Sequence, residues 1–373
     1  MMDIRLFTEM LGIDSTSGRE RELADFLGER LLTEHNRLER FDVESMAQDV
    51  PEGCALPQNL LFSWGQPKVL FCSHLDTVPP YLPPVSEDAS LISGRGTCDA
   101  KGQIFSMWEA CKALEAKGYD GFGLLLLAGE ETGSYGAKAF SKQHQGAEWV
   151  VVGEPTDNCM AAAAKGTKSF EVAFTGEAFH SGYPEHGVSA VEMFNDFMNA
   201  LRSIRFPYDE LLGETTWNVG KLVSDNPQNI LSPSLTCRVY FRTTFESDEM
   251  VCNIMKNIAG PDAKLRFGRP RAQDGSDLVA KDVALWQKSM SVKAFGGDSP
   301  TRFEVFDGFD VKPVSFGSDA PQLTNCRKKI LCGPGSILVA HRPDEHIVLK
   351  DMEAAIENYI KIAEQILSLP TLS

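Results

Sequence analysis

No apolar run in this 373-residue chain approaches the roughly 20 residues needed to cross a bilayer, so no membrane partner is expected. Basic sequence is scarce. Thirty-six Lys and Arg stand against 52 Asp and Glu, a formal net charge of −16, and no basic run or basic-aromatic interleaving occurs. That balance argues against nucleic acid as a partner. None of the nine cysteines forms a C-x-x-C pair, so neither a disulfide framework nor a zinc knuckle is indicated, and a reducing cytoplasm fits best. The opening MMDIRLFTEMLG carries acids early and lacks the long apolar stretch of a secretory leader. Repeats and low-complexity tracts are missing as well. What remains is an ordinary globular composition, 43% hydrophobic and 24% charged, in a chain long enough for two domains.

The stretch KVLFCSHLDTVPP, residues 68–80, organises the rest. Residues 69–72 are a short apolar run that reads as a buried strand, and the Pro79-Pro80 pair ends regular structure. His74 and Asp76 therefore stand where a core strand opens into a loop. Alternation along an extended backbone lets both point to one side, so that Asp76 can hold the imidazole in one tautomer and leave its other nitrogen free for a metal. An isolated H-x-D of this kind is most simply a surface histidine. The carboxylates that follow change the balance.

Residues 122–128 and 149–152 are two further apolar runs of strand length, ending in Gly129-Glu130-Glu131 and Gly153-Glu154-Pro155. Asp99 is delivered by the glycine-containing stretch SGRGTCDAKG just before a helix that begins near Gly102. Ser17 and Glu20 have capping-box spacing ahead of another helix. Strands alternating with helices predict an α/β sheet, mostly parallel and flanked by helices, whose site lies beyond the carboxyl ends of the strands. From about residue 166 the texture changes to alternating strands and two amphipathic helices, which predicts an inserted α+β domain over 166–278. A strand is expected at 263–267, a polar linker at 269–277 and a helix from about 279. The first domain is thus expected as 1–165 and 279–373, with strands at 311–316 and 329–332 and a last helix over 349–367.

Glu130 and Glu131, adjacent at a buried strand's end, would repel each other unless cations hold them or one takes a proton. With Asp99, Glu154, His74 and His341 they make a mixed oxygen and nitrogen set that suits zinc, with manganese or cobalt as alternatives. The set is large enough for two metals sharing a bridging carboxylate, leaving one Glu as a base.

The blocks SHLDTVPP, GRGTCDAKGQ, GEETGSYGA, VVGEPT, FHSGYPEHGVSA and GPGSILVAHRPDEH, in this order, resemble the aminoacylase/carboxypeptidase family of two-zinc hydrolases. Within it they are most similar to the acetylornithine deacetylase and succinyl-diaminopimelate desuccinylase group. The resemblance implies a zinc-exopeptidase-like fold with an inserted lid and dimerisation domain. It implies that His74, Asp99 and Glu154 bind one zinc and that Glu131, Asp99 and His341 bind the other. Asp99 would bridge, Glu130 would be the general base and Asp76 would orient His74. His180 would reach across a homodimer to the partner's site, and Arg242, Asn229 and Tyr183 match positions that grip substrate. Gly129 departs from relatives that often carry an Asp there, and FGSDAP (residues 316–321) matches the family's substrate loop only loosely. The expected activity is removal of a small acyl group from an N-acyl-L-amino acid, as in amino-acid biosynthesis. The alternatives are a dipeptidase or carboxypeptidase, a hydrolase freeing lysine or ornithine from a carrier protein, and, outside the enzymes, a metal-stabilised binding protein.

Overall fold

Six strands form the central sheet, in the spatial order Arg37–Asp42, Gln58–Trp64, Phe122–Leu127, Val69–His74, Trp149–Val152 and Lys328–Leu331. The computed structural model describes residues 3–86, 90–258 and 290–370. Val69–His74 runs parallel to Phe122–Leu127 and to Trp149–Val152, and Trp149–Val152 runs parallel to Lys328–Leu331. The two outer pairings, Arg37–Asp42 with Gln58–Trp64 and Gln58–Trp64 with Phe122–Leu127, are antiparallel. Three of the five pairings are parallel and only Gln58–Trp64 runs against the other strands, so the sheet is mostly parallel, as expected. Arg37–Asp42 is a charged edge strand, RLERFD, with no fully buried residue, which is why its sequence carries little strand signal.

The three inner strands are buried from end to end, as continuous apolar runs covered on both faces should be. Helices Lys101–Ala116 and Leu349–Ser368 pack on each other and on Val69–His74, while Tyr135–Gln143 lies against Arg37–Asp42 and Gln58–Trp64. Lys101–Ala116 buries every residue from Lys101 to Trp108, more than the one-sided face its pattern suggests. In Leu349–Ser368 the inward stripe is Met352, Ala355, Tyr359, Ile362, Ala363 and Ile366. Ile356, Ile360 and Leu367 are only partly buried at its margin. No helix among the described residues is long and apolar enough to cross a membrane.

Register sets up the site. His74 lies opposite Leu127, Cys72 opposite Val152, and Leu331 opposite Val152. The parallel strands thus finish level, and the residues that follow each one emerge at a single edge.

Two compact units are present, one of Met1–Ala162, Arg302–Val314 and Ser318–Ser373, the other of Ala163–Thr301 and Ser315–Gly317. The second unit holds an antiparallel sheet in the order Thr216–Val223, Ser234–Thr243, Gly166–Thr175 and Met290–Gly296. Helices Ala190–Ser203 and Asp248–Asn257 pack on its two central strands. Burial in Ser234–Thr243 alternates strictly, and Val172, Phe174, Phe197, Val239 and Phe241 build the core between sheet and helices. Because Met290–Gly296 pairs with Gly166–Thr175, this unit extends past the expected boundary at 278 to residue 301. The strand expected at 263–267, the linker at 269–277 and the start of the helix from about 279 lie outside the described residues.

Phe71 is fully buried on the central strand, with its ring edge-on to Tyr359 at 5.6 Å. Phe71→Ala is expected to lower unfolding free energy by about 3–5 kcal/mol, read from urea denaturation midpoints.

Candidate metal centre

His74 closes the central strand and is 2% exposed. Its Nδ1 lies 2.9 Å from the Asp76 carbonyl oxygen and 3.5 Å from the Asp76 carboxylate. A proton on Nδ1 therefore goes mainly to the backbone carbonyl, and Asp76 orients the ring more through its main chain than through its side chain. The Asp76 carboxylate is occupied elsewhere. Oδ1 accepts the Glu130 N–H at 3.0 Å, and Oδ2 accepts the Glu131 N–H at 3.2 Å and the Ser17 hydroxyl at 2.9 Å. Ser17 is thus spent on this loop and not on a capping box; helix Arg21–Arg30 begins with no side-chain cap.

With Nδ1 donating, Nε2 of His74 turns a lone pair toward Asp99 Oδ1 at 2.9 Å. The other Asp99 oxygen, Oδ2, lies 3.2 Å from Nε2 of His341, which also stands 2.9 Å from Glu131 Oε1. One carboxylate therefore serves two imidazoles, one oxygen each. Two facing lone pairs need a proton or a cation between them. Ligand atoms of His74, Asp99 and Glu131 all fall within 4.8 Å of one another, the spread expected of donors about 2 Å from a common ion. His341 joins the same carboxylates from a half-exposed turn, and Glu154 is buried, 4% exposed, two residues past its strand. The donor set fits a divalent metal.

Electrostatics point the same way. Burial and then the charge of Glu154 push the Glu130 carboxyl well above its usual range. Burial and the charge of Asp99 do the same to Glu154, and burial raises Glu131. Asp99 goes the other way: burial opposes its ionisation, but hydrogen bonds from His341 and His74 hold it well below the carboxylate range. Burial resists charge on His74, yet hydrogen bonds to Asp76 and Asp99 outweigh it and raise the ring's pKa above its ordinary value. Hydrogen bonds to Asp99 and Glu131 lift His341 to about 10. Such a crowd of acids in a low dielectric is relieved by cations.

The remaining expected residues lie in the second unit. His180 and Asn229 are exposed and sit together: His180 bridges Ile230, Ser181 N–H donates to Asn229 O at 2.9 Å, and the Tyr183 ring lies 5.9 Å from that of His180. Arg242 stands apart on strand Ser234–Thr243, its guanidinium 5.0 Å from the Tyr240 ring.

The buried charged residues outside the expected set include Asp319, Lys101 and Glu20. Asp319, in the loosely matched loop, is 2% exposed and burial lifts it to about 7. Lys101, two residues past Asp99, is 1% exposed and ties the N-terminal segment down by donating to Met10 O at 3.0 Å and Ile13 O at 2.7 Å. Glu20 is fully buried, and burial, then the charge of Asp76, lifts it to about 8 against backbone hydrogen bonds that include those of Gly18 and Gly129. The only sequence signal for them was placement beside a motif.

A helix-flanked sheet whose level strand ends deliver a histidine and carboxylate cradle defines a metal-dependent hydrolase. The profile described as "Peptidase family M20/M25/M40" matches residues 70–365, and the chain belongs to that family. It is a metallopeptidase-family hydrolase acting on amide bonds. A probable carboxypeptidase of Aspergillus niger is 30% identical over 386 residues, covering 95% of this chain and 88% of its own length. Among solved structures, a tripeptidase of Staphylococcus aureus superposes with a TM-score of 0.75 at 18% identity, covering 97% of both chains. An M20 family metallo-carboxypeptidase of Sulfolobus solfataricus gives 0.68 at 16% identity, covering 99% of this chain and 100% of its own. The fold is that of this family.

Glu20 yields a stability prediction with a definite sign. A carboxyl whose folded pKa is raised from 4.5 to about 8 favours folding fully below 4.5 and loses that contribution as pH climbs through about 8. Glu20→Gln cannot ionise, so its thermal midpoint should match the parent's at about pH 4.5 and exceed it increasingly toward about pH 9.

Proposed function

We propose that this chain is a two-metal peptidase that releases an amino acid from a short peptide, a dipeptidase or carboxypeptidase. The observation that carries this is the Asp99 carboxylate shared between His74 and His341, with Glu131 in the same cradle and Glu130 beside it. The preference for a peptide over an N-acyl amino acid rests on the relatives: a probable carboxypeptidase at 30% identity, and, among solved neighbours, a tripeptidase and a metallo-carboxypeptidase. The deacetylase or desuccinylase activity expected from the motif blocks takes second place.

His74, Asp99 and Glu154 would hold one cation, and Glu131, Asp99 and His341 the other; zinc suits the donors, with cobalt or manganese as alternatives. Bound there, the pair supplies Lewis-acid charge that acidifies water and polarises the amide carbonyl. The chain's own work is positioning and proton transfer. Asp76 pins the backbone of Glu130 and Glu131, which fixes where the two side chains start. Glu130, pushed by burial toward holding a proton, takes one from the attacking water and passes it to the departing amine. By resemblance, His180 supports the developing oxyanion and Arg242, Asn229 and Tyr183 contact substrate. A homodimer through the second unit belongs to the same proposal; strand Thr216–Val223 stands at the end of that unit's sheet and offers an edge for pairing.

Two measurements test this. Glu130→Gln should retain metal while kcat falls by on the order of 10²-fold or more; unchanged kcat removes Glu130 from the chemistry. A release assay across dipeptides, C-terminally extended peptides, N-acetyl and N-succinyl amino acids, with metal analysis on the same sample, should show highest kcat/KM on peptides. Preference for an N-acyl amino acid would restore the deacylase.

A further inference from the structure

Neither Asp99 nor His341 rests on a regular element. Asp99 belongs to the turn-rich segment 94–100, and His341 sits in a turn with a left-handed φ of 64°, uncommon for a residue with a side chain. Yet their side chains meet, His341 Nε2 standing 3.2 Å from Asp99 Oδ2. One side chain stands between the two segments. Glu345 is fully buried, four residues past His341. Its Oε1 accepts three backbone N–H groups of the other segment, from Gly96 at 2.9 Å, Cys98 at 3.1 Å and Asp99 at 3.2 Å. Its Oε2 pairs with Arg95, and its own carbonyl accepts the Gly94 N–H at 2.8 Å. Arg95 in turn reaches the Arg342 carbonyl at 3.4 Å, beside His341. Strand His346–Val348 then pairs antiparallel with Leu91–Ser93.

We propose that Glu345 is the positioning residue that locks the Asp99 and His341 segments together and so sets the metal position those two residues share. This rests on the two-metal reading above. A buried ion pair by itself is weak evidence of anything beyond packing, because an apolar pair of similar volume often does as well. Three converging amides are different. An apolar replacement would leave them buried without an acceptor, so the oxygen's reach, more than its charge, is what the Asp99 loop depends on.

Reach and charge can be separated. Glu345→Asp keeps the charge facing Arg95 but draws the oxygen back from the amides. Glu345→Gln gives up the charge and keeps a carbonyl oxygen at full reach. Each folded, metal-free variant is titrated with Co2+ alone, following visible absorbance, with Asp344→Asn, an exposed partner of Arg342, as control. The parent and the control should take up two equivalents. The Asp variant should lose about 10- to 100-fold in affinity for one equivalent, the scale expected when a ligand's outer support is removed, and the Gln variant should stay closer to the parent. An Asp variant equal to the parent, or a Gln variant weaker than the Asp variant, overturns the proposal. Should the Asp variant not fold, amide hydrogen exchange at Gly96, Cys98 and Asp99 in the Gln variant decides: parent-like protection supports the assignment and rapid exchange overturns it. Fewer than two equivalents in the parent overturns the two-metal reading, and the assignment with it.

Discussion

Carboxylates crowded where little water reaches are the constraint around which this chain is built. Asp99 divides its two oxygens between imidazoles from opposite ends of the sequence, and burial drives Glu130, Glu131 and Glu154 toward their neutral forms. In water such groups would simply ionise and drift apart. Held at the mouth of a buried sheet, they form a standing demand for positive charge, which divalent cations satisfy better than protons do. The apolar strands do not take part in the chemistry. By excluding water and finishing level, they make the demand large and local.

What keeps the acids in place is largely backbone hydrogen bonding to other acids. Asp76 accepts the amides of Glu130 and Glu131, and Glu345 accepts those of Gly96, Cys98 and Asp99. Carboxylates that bear no ligand role thus determine where the ligand-bearing loops run. Lys101 adds a third tie, bonding the carbonyls of Met10 and Ile13 to the start of the helix after Asp99. Loops that carry function are usually the mobile part of a fold. Here the Glu130, Asp99 and His341 segments are fastened by buried charged groups that hydrogen-bond to main chain.

Much of this was legible from residues alone. Apolar runs at 69–72, 122–128 and 149–152 mark the inner strands because a strand covered on both faces can be apolar throughout, and the acids or histidine just past each run are neighbours in sequence. Helix Lys101–Ala116 and the second unit's alternating strands are legible for the same reason, since period and burial are local properties. The charged edge strand Arg37–Asp42 was not, because half its residues face water and its pairing partner lies across a loop. Nor was the true extent of the second unit, which depends on Met290–Gly296 finding Gly166–Thr175.

By itself, then, the sequence determined which side chains could hold a metal and that they emerge near strand ends, because ligand type and hydrophobic period are written in adjacent residues. Only the tertiary structure decided who meets whom. Ser17 bonds Asp76 and not a helix end, His341 meets Glu131 across 210 positions, and Glu345 meets Asp99 across 246. Such contacts join segments whose separate patterns do not mention each other. They exist because the folded sheet brings the ends of its strands, and the loops that follow them, to one edge.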